Sequence, residues 1–160
     1  MEVLEKLKEL NIDFKLVEHE AVYTMEEIDN LGKDFFEGAK NCKNLFVRDQ
    51  KGKKHFLIVI SEEKRANLSE VAEKIGSTKL SFASEERLMK YLKLTTGAVS
   101  PLAVINDENS EVEVILDEDL RKEEKLAVHP NINTATVILK PEDLEKYILS
   151  CNNKIKYISM

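Results

Sequence analysis

The chain has 160 residues, 42% hydrophobic and 34% charged, with a formal net charge of −6, two cysteines and three histidines. That is enough apolar matter for one domain of ordinary size spanning residues 1–160. No apolar run approaches the ~18 residues of a membrane helix, and the acidic, amphipathic start Met-Glu-Val-Leu-Glu-Lys is unlike a signal peptide, so no membrane partner and a cytoplasmic location are expected. Cys42 and Cys151 make no CxxC pair, and His19, His55 and His129 lack metal-ligand spacing, so neither a disulfide framework nor a metal or cofactor is expected.

Val3, Leu4, Leu7 and Leu10 follow helical spacing, and Asn11 suits the end of that helix. Phe14 to Val17 reads as a short strand, and Thr24-Met25-Glu26-Glu27 has the form of a capping box that starts a helix. Leu45–Arg48 and Phe56–Ile60 read as strands joined by a loop with Gly52 at its turn, and the second, unbroken in apolar residues, suits burial on both faces. Asn67 can cap a helix over Leu68–Ile75 that Gly76 ends, and Ser84 can cap another over Glu85–Leu92. After Gly97–Pro101 the apolar stretches Leu102–Ile105 and Val112–Leu116 read as strands, as does Ala135–Leu139, and Pro141 sits at the first position of a final helix. The expected fold class is α/β (α+β): a mixed, partly antiparallel central sheet with surrounding helices.

Three segments carry the chemistry. In an extended run from residue 43 to 48, Lys43, Leu45 and Val47 share one face and Asn44, Phe46 and Arg48 the other. Lys43 then stands either at the sheet's rim, its stem buried and its ammonium in water, or in a pocket. In Gly97-Ala98-Val99-Ser100-Pro101, glycine opens unusual backbone conformations and proline fixes φ, so the turn either simply joins two elements or gathers its N–H groups where an oxyanion develops. His129, just before Pro130, is either a hydrogen-bonded structural histidine or a pocket residue. Net charge argues against a nucleic-acid partner, yet Lys51, Lys53, Lys54 and His55, with Arg48, Lys64 and Arg65 nearby, form a cluster that is either a solvated hairpin tip or a phosphate-facing patch.

Lys43-Asn44-Leu45-Phe46, Gly97-Ala98-Val99-Ser100-Pro101 and His129-Pro130-Asn131-Ile132-Asn133-Thr134, in that order, resemble the free-standing editing proteins related to the insertion domain of bacterial prolyl-tRNA synthetase, the YbaK/ProX family. The resemblance covers about residues 12–149 and extends to Ser81–Leu88, which is similar to the alanine-type members. At His19-Glu20-Ala21-Val22-Tyr23-Thr24 the chain departs from the family's frequent proline after the histidine.

The resemblance implies a hydrolase acting in trans on the ester of mischarged Ala-tRNA(Pro). In it Lys43 holds the 3′-terminal nucleotide, and Gly97, Ala98, Val99, Ser100 and Pro101 form the carbonyl-binding loop. His129, Asn133, Tyr23 and Thr24 line the amino-acid side, and Arg48, Lys51, Lys53 and Lys54 are candidates for tRNA contact. Aminoacylated tRNA is the implied partner, with prolyl-tRNA synthetase a second. A Cys-tRNA deacylase, a non-catalytic aminoacyl-tRNA-binding module and a structural partner docked on a synthetase are the alternatives. An activated ester needs only positioning, an in-line water and donors for the carbonyl oxygen.

Overall fold

The computed structural model describes residues 2–20 and 38–160. Helix α1 spans Glu2–Glu9 and buries Val3 and Leu7, the apolar positions of its helical spacing. Strand β1 (Phe14–Glu18) follows, then β2 (Lys40–Arg48) and β3 (His55–Ser61). Helix α2 (Leu68–Ile75) starts where the Asn67 side chain accepts the Glu70 N–H and ends at Gly76, whose φ of 72° is left-handed. Strand β4 (Ser81–Phe82) leads to α3 (Glu85–Leu92), capped by Ser84 accepting from the Arg87 N–H. Beyond a 3-10 helix at Pro101–Asn106 come β5 (Val112–Asp117), a 3-10 turn at Glu118–Lys122, β6 (Leu126–Val128) and β7 (Ala135–Leu139). Helix α4 (Pro141–Ser150) and β8 (Ile155–Ile158) complete the described elements. The capping-box reading at Thr24–Glu27 lies outside the described residues.

The sheet runs β1-β7-β6-β2-β3-β5-β8, with β4 also on β2. β2–β6, β3–β5 and β5–β8 are parallel and the other pairs antiparallel, so the sheet is mixed, as the sequence implies. Every residue of β3 is buried, which fits its central place and its lack of a polar face. One face carries Cys42, Phe46, Leu57, Val59, Val114 and Val128, and these pack with α1, α3, α4 and the first 3-10 helix. The opposite face carries Val47, Phe56, Ile58 and Ile115 under α2.

Residues 102–105 are not a strand: they lie in the 3-10 helix. A short apolar run buried all round has no period to distinguish the two. Here Pro101 fixes the first φ and the Ser100 hydroxyl accepts the Leu102 N–H, which together start a helical turn. The Tyr147 hydroxyl donates to Leu102 O at 2.8 Å and anchors that turn to α4.

The feature that creates a site is the use of β2. On the edge away from β3 it pairs with β6 only at Lys40 and Asn41, and with β4 only at Val47 and Arg48. Over residues 42–46 that edge has no strand beside it among the described residues. The sheet is split there.

Candidate active site

The split holds a narrow cleft of about 10 Å³, room for roughly one water-sized group. Among the described residues its walls are Asn41, Cys42 and Asn44 of β2, Ala127 and Val128 of β6, His129 beyond it, and Thr136 of β7. The His129 Nδ1–H donates to Ala135 O at 3.1 Å across the turn that joins β6 to β7. Burial, with a smaller contribution from the nearby His19, holds the His129 pKa below its usual value against the opposing pull of that hydrogen bond, so the ring is neutral at pH 7. His19 Nδ1 lies 2.7 Å from Glu20 O and its Nε2 2.8 Å from Thr136 Oγ1, which joins β1 to the same wall.

Asn44 links the cleft to the glycine loop. Its amide nitrogen donates to Val99 O at 3.1 Å, while its Oδ1 is buried without a partner among the described residues. The loop begins at Gly97, whose φ of 95° suits a residue without a Cβ. Ala98, Ser100 and Pro101 are buried and Val99 is half-buried. The Ala98 N–H is spent on Thr95 O, whereas the N–H groups of Gly97, Val99 and Ser100 make no hydrogen bond among the described residues. Three donors are thus unpaired in a loop that Asn44 ties to the cleft. The Ser100 side chain, fully buried and engaged with Leu102 N, is no nucleophile.

Lys43 does not touch that loop. It pairs with Ile60 in β3, and strand alternation sends its side chain to the face opposite Cys42 and Asn44. That is the face of Asn41, which pairs with Ala127, and of Thr136, both walls of the cleft, although Lys43 itself is not one of those walls. It makes no hydrogen bond or ion pair among the described residues and is half-exposed. The residue that meets the loop is its neighbour Asn44. Sequence reading passed over Asn44; the signal for it was a polar side chain on an otherwise apolar strand face between Cys42 and Phe46.

Asn133 is half-buried in the turn after His129, where the neighbouring Thr134 O accepts the His19 N–H at 3.0 Å. Tyr23 and Thr24 lie outside the described residues. Cys42 lines the cleft, but burial pushes its thiol up to about 12, so it is held as a neutral wall.

The basic cluster needs correction. His55 is buried against Phe46 and Tyr91, with Arg87 Nη1 3.0 Å from its Nε2. Burial first, then the Arg87 charge, push its pKa down to about 4, so it adds no positive charge to the patch. Lys64 is engaged with Asp117 and Asp119, and Arg48 turns its guanidinium to Asp49 O and Gln50 O. Lys51, Lys53 and Lys54 remain exposed at the β2–β3 turn.

Residues 19–147 match the aminoacyl-tRNA editing domain. This chain belongs to that family. It is 51% identical to the prolyl-tRNA editing protein ProX of Acetoanaerobium sticklandii over 99% of its own length and 95% of that protein. It is 27% identical to the multifunctional Ser/Thr-tRNA deacylase ProXp-y of Escherichia coli, with 86% and 80% of the two chains covered. The fold matches the crystal structure of hypothetical protein APE2540 with a TM-score of 0.76, 19% identity and 97% of each chain covered.

Proposed function

We propose that this editing-family hydrolase acts in trans on the ester of Ala-tRNA(Pro) and spares Pro-tRNA(Pro). The observation that carries the reading is the pairing of a cleft the size of one water with a loop offering unpaired N–H donors, joined by the Asn44–Val99 hydrogen bond. A methyl or an ammonium group is about the size of a water, whereas a pyrrolidine ring, which holds proline's nitrogen, is several times larger. A synthetic pocket for proline excludes a smaller amino acid weakly, since each methylene contributes only ~1–3 kcal/mol. A second pocket too tight for proline supplies the missing discrimination.

In this reading the ester carbonyl lies against the N–H groups of the 97–101 loop, which stabilise the charge that develops as water attacks. The bond to the ribose 3′-oxygen then breaks, and the alanine carboxylate and the tRNA hydroxyl leave separately. Lys43, on the other face of β2, holds the terminal ribose or phosphate as a point charge on a flexible stem. Lys51, Lys53 and Lys54 face the acceptor end, with Arg48 beside them. A prolyl-tRNA synthetase that releases the mischarged tRNA is the source of substrate, and the cytoplasm is where the two meet.

The test is deacylation of tRNA(Pro) charged with alanine, cysteine, serine or proline, with Lys43→Ala in parallel. The expected order places alanine first and proline at background, with Lys43→Ala close to background on every ester. Preference for cysteine would move the substrate assignment to that amino acid, and tRNA retained without ester loss would make the protein a binding module. Full activity in Lys43→Ala would remove the lysine from the mechanism.

A further inference from the structure

The polar side chains of the cleft share one arrangement: each spends a proton on a partner within the protein. Asn44 turns its amide nitrogen to Val99 O, and because that partner is a carbonyl, the atom left over must be Oδ1. His129 donates Nδ1–H to Ala135 O, so the neutral ring leaves Nε2 as a bare acceptor. Thr136 Oγ1 lies 2.8 Å from His19 Nε2, and the tautomer that donates Nδ1–H to Glu20 O takes the Thr136 O–H at Nε2, which leaves the Thr136 oxygen as an acceptor. The Cys42 thiol points to Lys40 O at 3.7 Å. What these four groups present to the cleft is lone pairs. Asn44 Oδ1 is the extreme case, being buried and unpartnered among the described residues, a state that costs a polar atom free energy unless a ligand relieves it.

A lining of acceptors selects a donor. Resting on the deacylase reading above, we propose that Asn44 Oδ1 and His129 Nε2 receive the α-ammonium of the aminoacyl ester, so that the enzyme acts on esters with a free α-amino group and rejects N-acylated ones. An ammonium carries three donors and no acceptor, which suits a cleft lined by lone pairs. An acetylated nitrogen keeps one N–H, loses its charge and adds a group larger than the cleft admits. The acceptors then have two tasks. They fix the Cα substituents relative to the loop, and they separate aminoacyl-tRNA from blocked forms such as N-acyl or peptidyl esters. Asn44 is also a positioning residue for the loop, because the same amide that offers Oδ1 holds the Val99 carbonyl.

The experiment compares Ala-tRNA(Pro) with the same preparation acetylated on the amino group. Each rate is divided by that ester's own hydrolysis in buffer, because the ammonium activates an ester without any enzyme. The wild-type protein is expected to accelerate the free ester at least about tenfold more than the acetylated one, the span of a hydrogen bond to a charged group. His129→Phe should lower kcat/KM for the free ester more than for the acetylated one, drawing the ratio towards one; Asn44→Leu, which also releases the Val99 carbonyl, should lower both esters and still narrow the ratio. His129→Gln, which restores an acceptor, should recover some of it. A purely structural role for either residue would lower both esters alike and leave the ratio intact. Equal acceleration of both esters by the wild type would overturn the ammonium assignment while the deacylase reading stands; acceleration of neither would overturn that reading and this inference with it. The wild-type comparison needs no variant to fold.

Discussion

At the scale of single residues, the site depends on side chains whose chemistry is restrained by burial. Ser100 shows it: a serine in the loop invites a nucleophilic role, but its hydroxyl is spent as the cap of a 3-10 helix. Ser100→Ala should cost about 1 kcal/mol, as caps do, and lower Tm by roughly 2–4 °C for a chain of this size. Deacylation should persist in that variant; its complete loss with the fold intact would restore serine to the chemistry. His55 gives a pH prediction. Its pKa is about 4 in the folded protein against about 6.5 in an unfolded chain. Above pH 6.5 both states carry a neutral ring and His55 adds no pH dependence. As pH falls from 6.5 towards 4 the unfolded chain takes up a proton that the folded one refuses, so stability declines across that window. Thermal melts at steps between pH 7 and 4 should show the decline, and a flat profile would contradict the buried neutral ring.

At the scale of elements, the loop is held by its neighbours on two sides: Asn44 of β2 grips Val99, and Tyr147 of α4 grips Leu102. Tyr147→Phe removes the hydroxyl that ties the Leu102 carbonyl to α4, a change of about 0.5–1.5 kcal/mol. Chemical denaturation should register it, and kcat should fall with little change in KM because the donors move while the tRNA contacts do not. Gly97→Ala, at a φ of 95°, should disturb the same loop from its other end. Much of this was readable beforehand. Asn67, Ser84 and Gly76 bound their helices through local chemistry, and Phe56–Ile60 announced a buried strand by having no polar face. The start of β2 was not readable, because Lys40 to Asn44 is largely polar and becomes a strand by pairing with β6, far off in sequence, and with the far end of β3. Nor was the 3-10 helix, whose apolar run fits either conformation. The cleft itself exists only through non-local register, so of its walls His129 alone was named as a site residue from the sequence, and the grouping could not be derived from spacing.

At the scale of the whole molecule, a net charge of −6 must be reconciled with a polyanionic substrate. The exposed Lys51, Lys53 and Lys54 concentrate positive charge at one turn. Replacing all three with glutamine should raise KM for Ala-tRNA and flatten its dependence on salt, since fewer phosphate counterions are released on binding. An unchanged salt slope would place the tRNA elsewhere. The two apolar layers set a separate requirement: Leu57→Ala, in the layer beneath the loop, should cost about 2–5 kcal/mol, read as a lowered unfolding midpoint. The point at which β6 leaves β2 has one more consequence. Strands zip or separate by whole rungs, and a rung is about 3.3 Å, more than the length of a carbon–carbon bond. The aperture between them is therefore quantised too coarsely to tell neighbouring amino acids apart. If the cleft takes the amino acid as proposed, fine grading falls to Cys42, Ala127, Val128 and Thr136 among its walls, so lineages with a taste for a different amino acid should differ at those four positions while keeping the same point of divergence between the strands.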